Sequence, residues 1–173
     1  MDMHTLYRSV RERWAQHGPI AVLHLGDDVM ALASGRSDQA EVVLTFSLGL
    51  RQLVAEVLTH TPPTPLQLEL AIETVEEQVM PAHTALPPDA ALVTQDACLW
   101  QWAQAMGWCV DVDQELSLAT LEEGFNLLVA HAQGRPASVA GVPSDPRFAA
   151  TLVVLRELMH HLHFKRITLL APA

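Results

Sequence analysis

The sequence predicts an α/β protein, with mixed α+β as the neighbouring class. One mixed sheet opens with an antiparallel hairpin or meander and carries helices on its faces. Three observations predict this. Two β-like runs, residues 20–25 and 29–34, flank the turn Gly26-Asp27-Asp28. Beyond residue 60, helical and β-like segments alternate, the pattern of parallel pairing. From Ser144 to Leu170 a capped helix, apolar almost all round, runs into a strand, so the core must be deep enough to enclose a helix. A chain of 173 residues, 50% hydrophobic and 17% charged, suffices for one domain over residues 1–173.

The first helix is expected over residues 4–16, where Leu6, Val10 and Trp14 form an apolar stripe and Gly18-Pro19 ends it. The hairpin follows, its turn supplied with glycine and aspartate. Residues 41–46 carry Val42, Val43 and Thr45 and read as a strand, then a helix over 48–59; the alternative is one long helix from Gln39. Thr64-Pro65-Leu66-Gln67 has the layout of a capping box with proline at the first helical position, and Pro81 ends that helix after Met80. Pro87-Pro88 introduces a strand over 90–94. Asp96 begins a helix over 97–106 that Gly107 closes, and residues 108–112 read as a short edge strand. A helix over 118–133 ends at Gly134. After a small-residue loop, Ser144 or Asp145 caps the last helix, and residues 166–170 form the closing strand.

Charge removes several functions. The net charge is −10 and Lys165 is the only lysine, so neither nucleic acid nor an anionic membrane is an expected partner. No apolar run approaches the ~20 residues that span a bilayer. The first residues lack a signal-peptide layout, and the cytoplasm is the expected compartment. Cys98 and Cys109 are the only cysteines and are expected reduced, as small core residues. No G-x-S-x-G, G-x-x-x-x-G-K or G-x-G-x-x-G pattern occurs.

Four groups of residues could carry chemistry. Glu157 lies three and four positions before His160 and His161, so a helix puts carboxylate and imidazole on one face, a spacing that suits zinc, iron or manganese. Bundles that use such pairs need a second one, and no other Glu-x-x-His is present. Asp27 and Asp28 follow a strand, where metal-dependent phosphoryl transfer often places carboxylates; adjacent aspartates in a Gly-Asp-Asp turn are more often there for turn chemistry. Asp96 ends a strand and starts a helix, and capping alone explains an aspartate there. Trp100, Trp102 and Trp108 form the fourth group. Trp100 and Trp102 are two apart on a helix and point in different directions, so one is expected in the core and the other at a groove or a partner chain.

Ala91-Leu92-Val93-Thr94-Gln95-Asp96, with the helix after it and then Gly107 and Val110, resembles the strand–Thr-x-Asp–helix passage of PIN-domain nucleases. That resemblance implies an aspartate that helps hold a divalent metal. The helix before the first strand departs from the pattern. Three antiparallel strands followed by α-β-α-β also permit a ribonuclease-H-like or actin-like layout, with carboxylates at strand ends.

The preferred expectation is a cytoplasmic binding or accessory module without chemistry of its own, acting as a homodimer or with another protein. It rests on the absent catalytic signatures, the apolar surplus and the tryptophans, and it implies no cofactor. The alternative is a metal-dependent hydrolase, phosphohydrolase or nuclease-like, with a divalent metal on Asp27 or Asp28, Asp96, and Glu157 with His160 or His161.

Overall fold

A hairpin seeds the sheet. Strands β1 (Ile20–Leu25) and β2 (Met30–Gly35) pair antiparallel from Ile20↔Gly35 to Leu25↔Met30. Strand β3 (Val42–Phe46) adds antiparallel to β2, with Phe46 opposite Met30. This computed structural model describes residues 2–14, 16, 18–108, 112–136, 138 and 141–171. In it β4 (Ala91–Thr94) lies parallel to β1, with Ile20 beside Ala91. Strand β5 (Gln114–Ser117) pairs antiparallel with β6 (Arg166–Leu169), which in turn runs parallel to β4. The order across the six-stranded sheet is β3-β2-β1-β4-β6-β5. The mixed sheet with an antiparallel start is the predicted one.

The pleat divides the core in two. Ala21, Leu23 and Leu25 of β1 face one side, and Ile20 and Val22 face the other. The second side is covered by α1 (Met3–Arg13) through Met3, Leu6, Tyr7 and Val10. On the first side lie α2 (Leu50–Glu56), α3 (Pro65–Val79), α4 (Ala97–Ala105), α5 (Leu118–Ala132) and α6 (Pro146–His161). Helix α6 is the hub. Every residue from Phe148 to Met159 except Arg156 is buried, and α2, α3, α4 and α5 all pack on it. At about 1.5–3 kcal/mol for each large apolar side chain enclosed, this helix is a main source of the fold's stability.

Local chemistry sets the helix starts. The Thr64 hydroxyl accepts the Gln67 N–H at 3.3 Å, and the Gln67 side chain accepts the Thr64 N–H at 3.1 Å, closing the predicted capping box. Asp145 accepts the Arg147 N–H at 3.0 Å at the head of α6. Asp2 does the same for α1; that helix starts one residue before the predicted position and ends at Arg13, where Trp14 turns to an extended backbone. Residues 42–46 are a strand and not part of a long helix, because β-branched Val42, Val43 and Thr45 find β2 beside them.

The edge strand is a correction. It was expected over residues 108–112. Residues 109–111 lie outside the described residues, and the strand that borders β6 is Gln114–Ser117. A Gln-Glu-Leu-Ser run shows no apolar alternation. It is held by main-chain pairing and by Glu115 accepting from Arg166 at 2.8 Å, and a polar edge also discourages further strand addition. Among the described residues no helix is long and apolar enough to cross a membrane.

Candidate functional site

Beyond β1 the chain turns back to build β2 and β3 on one side, while β4 and β6 lie on the other. The boundary between β1 and β4 is therefore a topological switch point. In open α/β sheets ligands bind outside the carboxyl ends of the strands at such a point. Here that place is formed by His24 and Leu25 at the end of β1, by the Gly26-Asp27-Asp28 turn, and by Asp96 beyond β4.

Asp96 occupies the N-cap position of α4, as expected, but its side chain makes no cap bond. It reaches across to the neighbouring strand. One carboxylate oxygen accepts the Leu25 N–H at 2.7 Å, and the other lies 3.1 Å from Nδ1 of His24. Its own N–H donates to the Thr94 hydroxyl at 3.1 Å. Only 9% of Asp96 is exposed. The parallel register explains the contact: Val22 lies beside Val93, so three residues on, Leu25 comes level with Asp96. Holding His24 by Nδ1 leaves Nε2 against the turn, 3.1 Å from where a side chain on Gly26 would begin.

The turn is clamped by α2. The Leu50 N–H donates to the Gly26 carbonyl at 3.1 Å, and the Arg51 N–H to the Asp27 carbonyl at 3.0 Å. Gly49 permits this approach, since a Cβ there would stand 2.1 Å from the Asp27 carbonyl oxygen. Helix α2 thus begins at Leu50 and not at the predicted residue 48. Two arginines flank the turn: Arg51 pairs with Asp28, and Arg147, from the head of α6, pairs with Asp27. These exposed pairs add little stability, about 0–1 kcal/mol each; their consequence is two guanidinium groups beside the switch point. A cleft of about 190 Å³ adjoins, with Arg147, Cys98, Gln101, Trp102 and Phe148 among its walls. Burial, with the Asp96 charge adding to it, pushes the Cys98 thiol above its usual value.

Asp27, Asp28 and Asp96 therefore gather at one edge. Glu157, His160 and His161 do not join them. Glu157 is ten residues beyond Arg147 on α6, roughly 15 Å along the axis at 1.5 Å per residue. It is buried, pairs with Arg156, and lies 3.3 Å from Nε2 of His161. Arg156 also donates to Glu122 of α5 at 3.0 Å and sits 4.5 Å over the Phe125 ring. Burial pulls the Arg156 pKa down, but the two carboxylates outweigh it and the net shift is upward. His160 is exposed, edge-on to His161. Glu157 faces inward and pairs with Arg156 and His161 of its own helix, which in turn reach Glu122 and Glu76 on α5 and α3.

The tryptophans of α4 are both buried, and Trp102 also lines the cleft beside Arg147, a groove position of the kind expected for one of the two. Trp100 and Trp102 do point in different directions, yet both directions lead inside, because α4 is wedged between the sheet edge and α6. Trp100 donates to the Leu170 carbonyl. Trp102 donates to the Phe148 carbonyl at 3.3 Å, stacks on Phe148 and meets Trp108 edge-on. Both are buried, and Trp108 is half-buried against Gly124, so this group gives the core its shape.

Do these residues suit a divalent metal? Asp27 and Asp28 are engaged by arginines, and Asp96 by a backbone N–H and an imidazole. Among the described residues no three His, Cys, Asp or Glu side chains come together as a metal would require. The arrangement does not fit a bound metal, and no step is derived through one. Sequence reasoning missed His24, Arg51 and Arg147. Their only signal was position, a histidine one residue from a strand end and arginines just inside two helix starts; strand register brings His24 to Asp96, and the packing of α2 and α6 brings the arginines to the turn.

No protein-family model matches the sequence, and no curated protein matches it. Solved structures do share the fold. A Ppx/GppA family member from Aquifex aeolicus superposes with a TM-score of 0.74 at 13% identity, over 96% of this chain and 56% of that one. The type II variant of the Aquifex aeolicus Ppx/GppA phosphatase gives 0.75 at 12% identity, over 96% and 57%. An exopolyphosphatase from Cytophaga hutchinsonii gives 0.70 at 12%, over 96% and 57%. The chain thus spans a little over half the length of these structures, and the likeness is one of fold. It overturns the expectation of a binding or accessory module without chemistry: the structures that share this sheet and these helices are phosphatases, and the hydrolase alternative is the better supported of the two.

Proposed function

We propose that the chain is one lobe of a phosphohydrolase acting on phosphoanhydrides or phosphate esters, with the carboxyl edge at the β1–β4 switch point as its share of the site. The observation that carries this reading is the Asp96–His24 pair, which joins the ends of two parallel strands beside two arginines. Arg51 and Arg147 supply planar, always charged donors matched to phosphate oxygens. A phosphate entering between them competes with Asp27 and Asp28 for the same guanidinium groups. Asp96 orients the His24 ring through Nδ1, and Nε2 faces the turn, where it takes the proton of an attacking water as general base. The phosphatase likenesses support the reaction class.

The chain forms one wall of a cleft, and a second lobe closes it; a second copy of this chain is the natural candidate. The test is orthophosphate release by the purified chain from inorganic polyphosphate, tripolyphosphate and p-nitrophenyl phosphate, with and without Mg²⁺. His24→Gln should lower the rate by roughly 10²–10⁴, the usual contribution of a general base. Activity per chain should rise with concentration as light scattering reports a dimer. Phosphate release that His24→Gln and Asp96→Asn leave unchanged, or no release at any concentration, would refute the reading.

A further inference from the structure

The cleft beside Arg147 is built from one face of α4 and the first turns of α6. Cys98, Gln101, Trp102 and Ala105 recur at the spacing that lines one side of a helix, and Phe148 and Thr151 complete the walls. The Trp102 and Phe148 rings stack at 5.5 Å, inclined by 24°. Arg147 ties the cleft to the carboxyl edge, being both its wall and the partner of Asp27 in the hairpin turn. Cys98 ties it a second time: its thiol donates at 3.5 Å to the carbonyl of Leu25, the residue whose N–H is held by Asp96. A group seated in this cleft is next to whatever occupies the space between the turn and the arginines.

Size, hydrogen bonding and charge select that group. The cleft holds about 190 Å³, room for a single ring, since an apolar cavity of roughly 150 Å³ takes up benzene. Trp102 donates to the Phe148 carbonyl at 3.3 Å and the Thr151 hydroxyl to the Arg147 carbonyl at 2.9 Å, so both donors are engaged within the protein. Arg147 and Asp145 are walls of opposite charge, and the chain carries a net −10. A second phosphate lying here would meet no basic wall, among the described residues, beyond the Arg147 that the first phosphate already uses.

We propose that the cleft is the leaving-group subsite of the carboxyl-edge site, so that the preferred substrate is a phosphate monoester of a compact, uncharged, ring-sized alcohol or phenol and not a phosphoanhydride. This rests on the phosphohydrolase reading and narrows it. Water attacks phosphorus and gives its proton to Nε2 of His24 as the new P–O bond forms. The ester P–O bond breaks, its electron pair leaves with the oxygen in the cleft, and that oxygen takes up a proton from solvent. His24 then returns its own proton to solvent, and the products are orthophosphate and the free alcohol or phenol. Moving the ring out of water into the cleft supplies binding that a methyl ester or a phosphate chain lacks.

Calorimetric titration of the whole chain with orthophosphate, ethylphosphonate, benzylphosphonate and tripolyphosphate tests the subsite without turnover, the phosphonates carrying CH₂ in place of the ester oxygen. Benzylphosphonate should bind at least roughly tenfold tighter than ethylphosphonate, and tripolyphosphate no tighter than orthophosphate. Gln101→Trp and Ala105→Phe, both at exposed positions, fill the cleft, and each should bring the benzyl-to-ethyl ratio toward one. Equal binding of the two phosphonates, tripolyphosphate as the tightest ligand, or a ratio unchanged in both variants would overturn the subsite, while orthophosphate binding and release would leave the phosphohydrolase reading standing. A chain that binds none of the four ligands and releases no phosphate ends both.

Discussion

At the scale of single residues, Asp96 does more between strands than within its own helix. Its carboxylate satisfies the buried Leu25 N–H and orients His24. Asp96→Ala strands that N–H, and leaving a buried donor without a partner costs about 1–3 kcal/mol, whereas Asp96→Asn keeps an acceptor and should cost about 1 kcal/mol. Urea melts of the two variants measure the difference; equal costs would mean that the bond to Leu25 contributes nothing. Cys98 makes a second residue-scale prediction. With its thiol pushed above its usual value by burial, it should alkylate with iodoacetamide much more slowly at pH 8 than an unfolded control, by peptide mapping. A rate equal to that of the denatured chain would contradict the burial. The burial of Cys98 was anticipated in its reading as a small core residue; the reach of Asp96 was not. Asp96 was recognised as a helix start from the strand and helix around it, but its partner is Leu25, 71 positions away.

At the scale of elements, the hairpin turn and α2 form one unit around Gly49. A methyl group there meets the Asp27 carbonyl at 2.1 Å, an overlap no rotamer relieves. Gly49→Ala must push α2 off the turn, at about 1–3 kcal/mol, and should displace Arg51 from Asp28. Thermal melts show the first effect and the amide shifts of Gly26 and Asp27 the second; an unperturbed variant would show that the turn and α2 are not in contact. Elements were the most legible level of this protein. The hairpin, the capping box at Thr64, the strand over 42–46 and the largely apolar last helix follow from spacing and capping chemistry, which act within a few residues. The edge strand Gln114–Ser117 could not be read, since its polar residues have no periodicity and exist as a strand only through β6.

At the scale of the whole molecule, a line of charge runs across three helices: Glu122 of α5, then Arg156, Glu157 and His161 of α6, then Glu76 of α3. Glu157 is its buried centre. Removing one partner of a buried pair is costly, so Glu157→Ala should lose about 3 kcal/mol. The double variant Arg156→Met/Glu157→Leu should lose less than the two single changes summed, because matched apolar groups replace a matched ion pair. Denaturant titration of the cycle measures this, and strict additivity would remove the coupling.

The amino-acid order alone determined the class of fold and the secondary structure apart from the edge strand, because helix periodicity, caps and turn residues are local interactions. It also set the surplus of carboxylates over basic side chains and the net charge of −10. Only the tertiary structure decided which carboxylates meet. Parallel register carried Asp96 to His24, the length of α6 kept Glu157 and His161 far from both, and packing on two sides drew Trp100 and Trp102 inside. Those outcomes depend on residues tens of positions apart, and no local pattern records the distance between them.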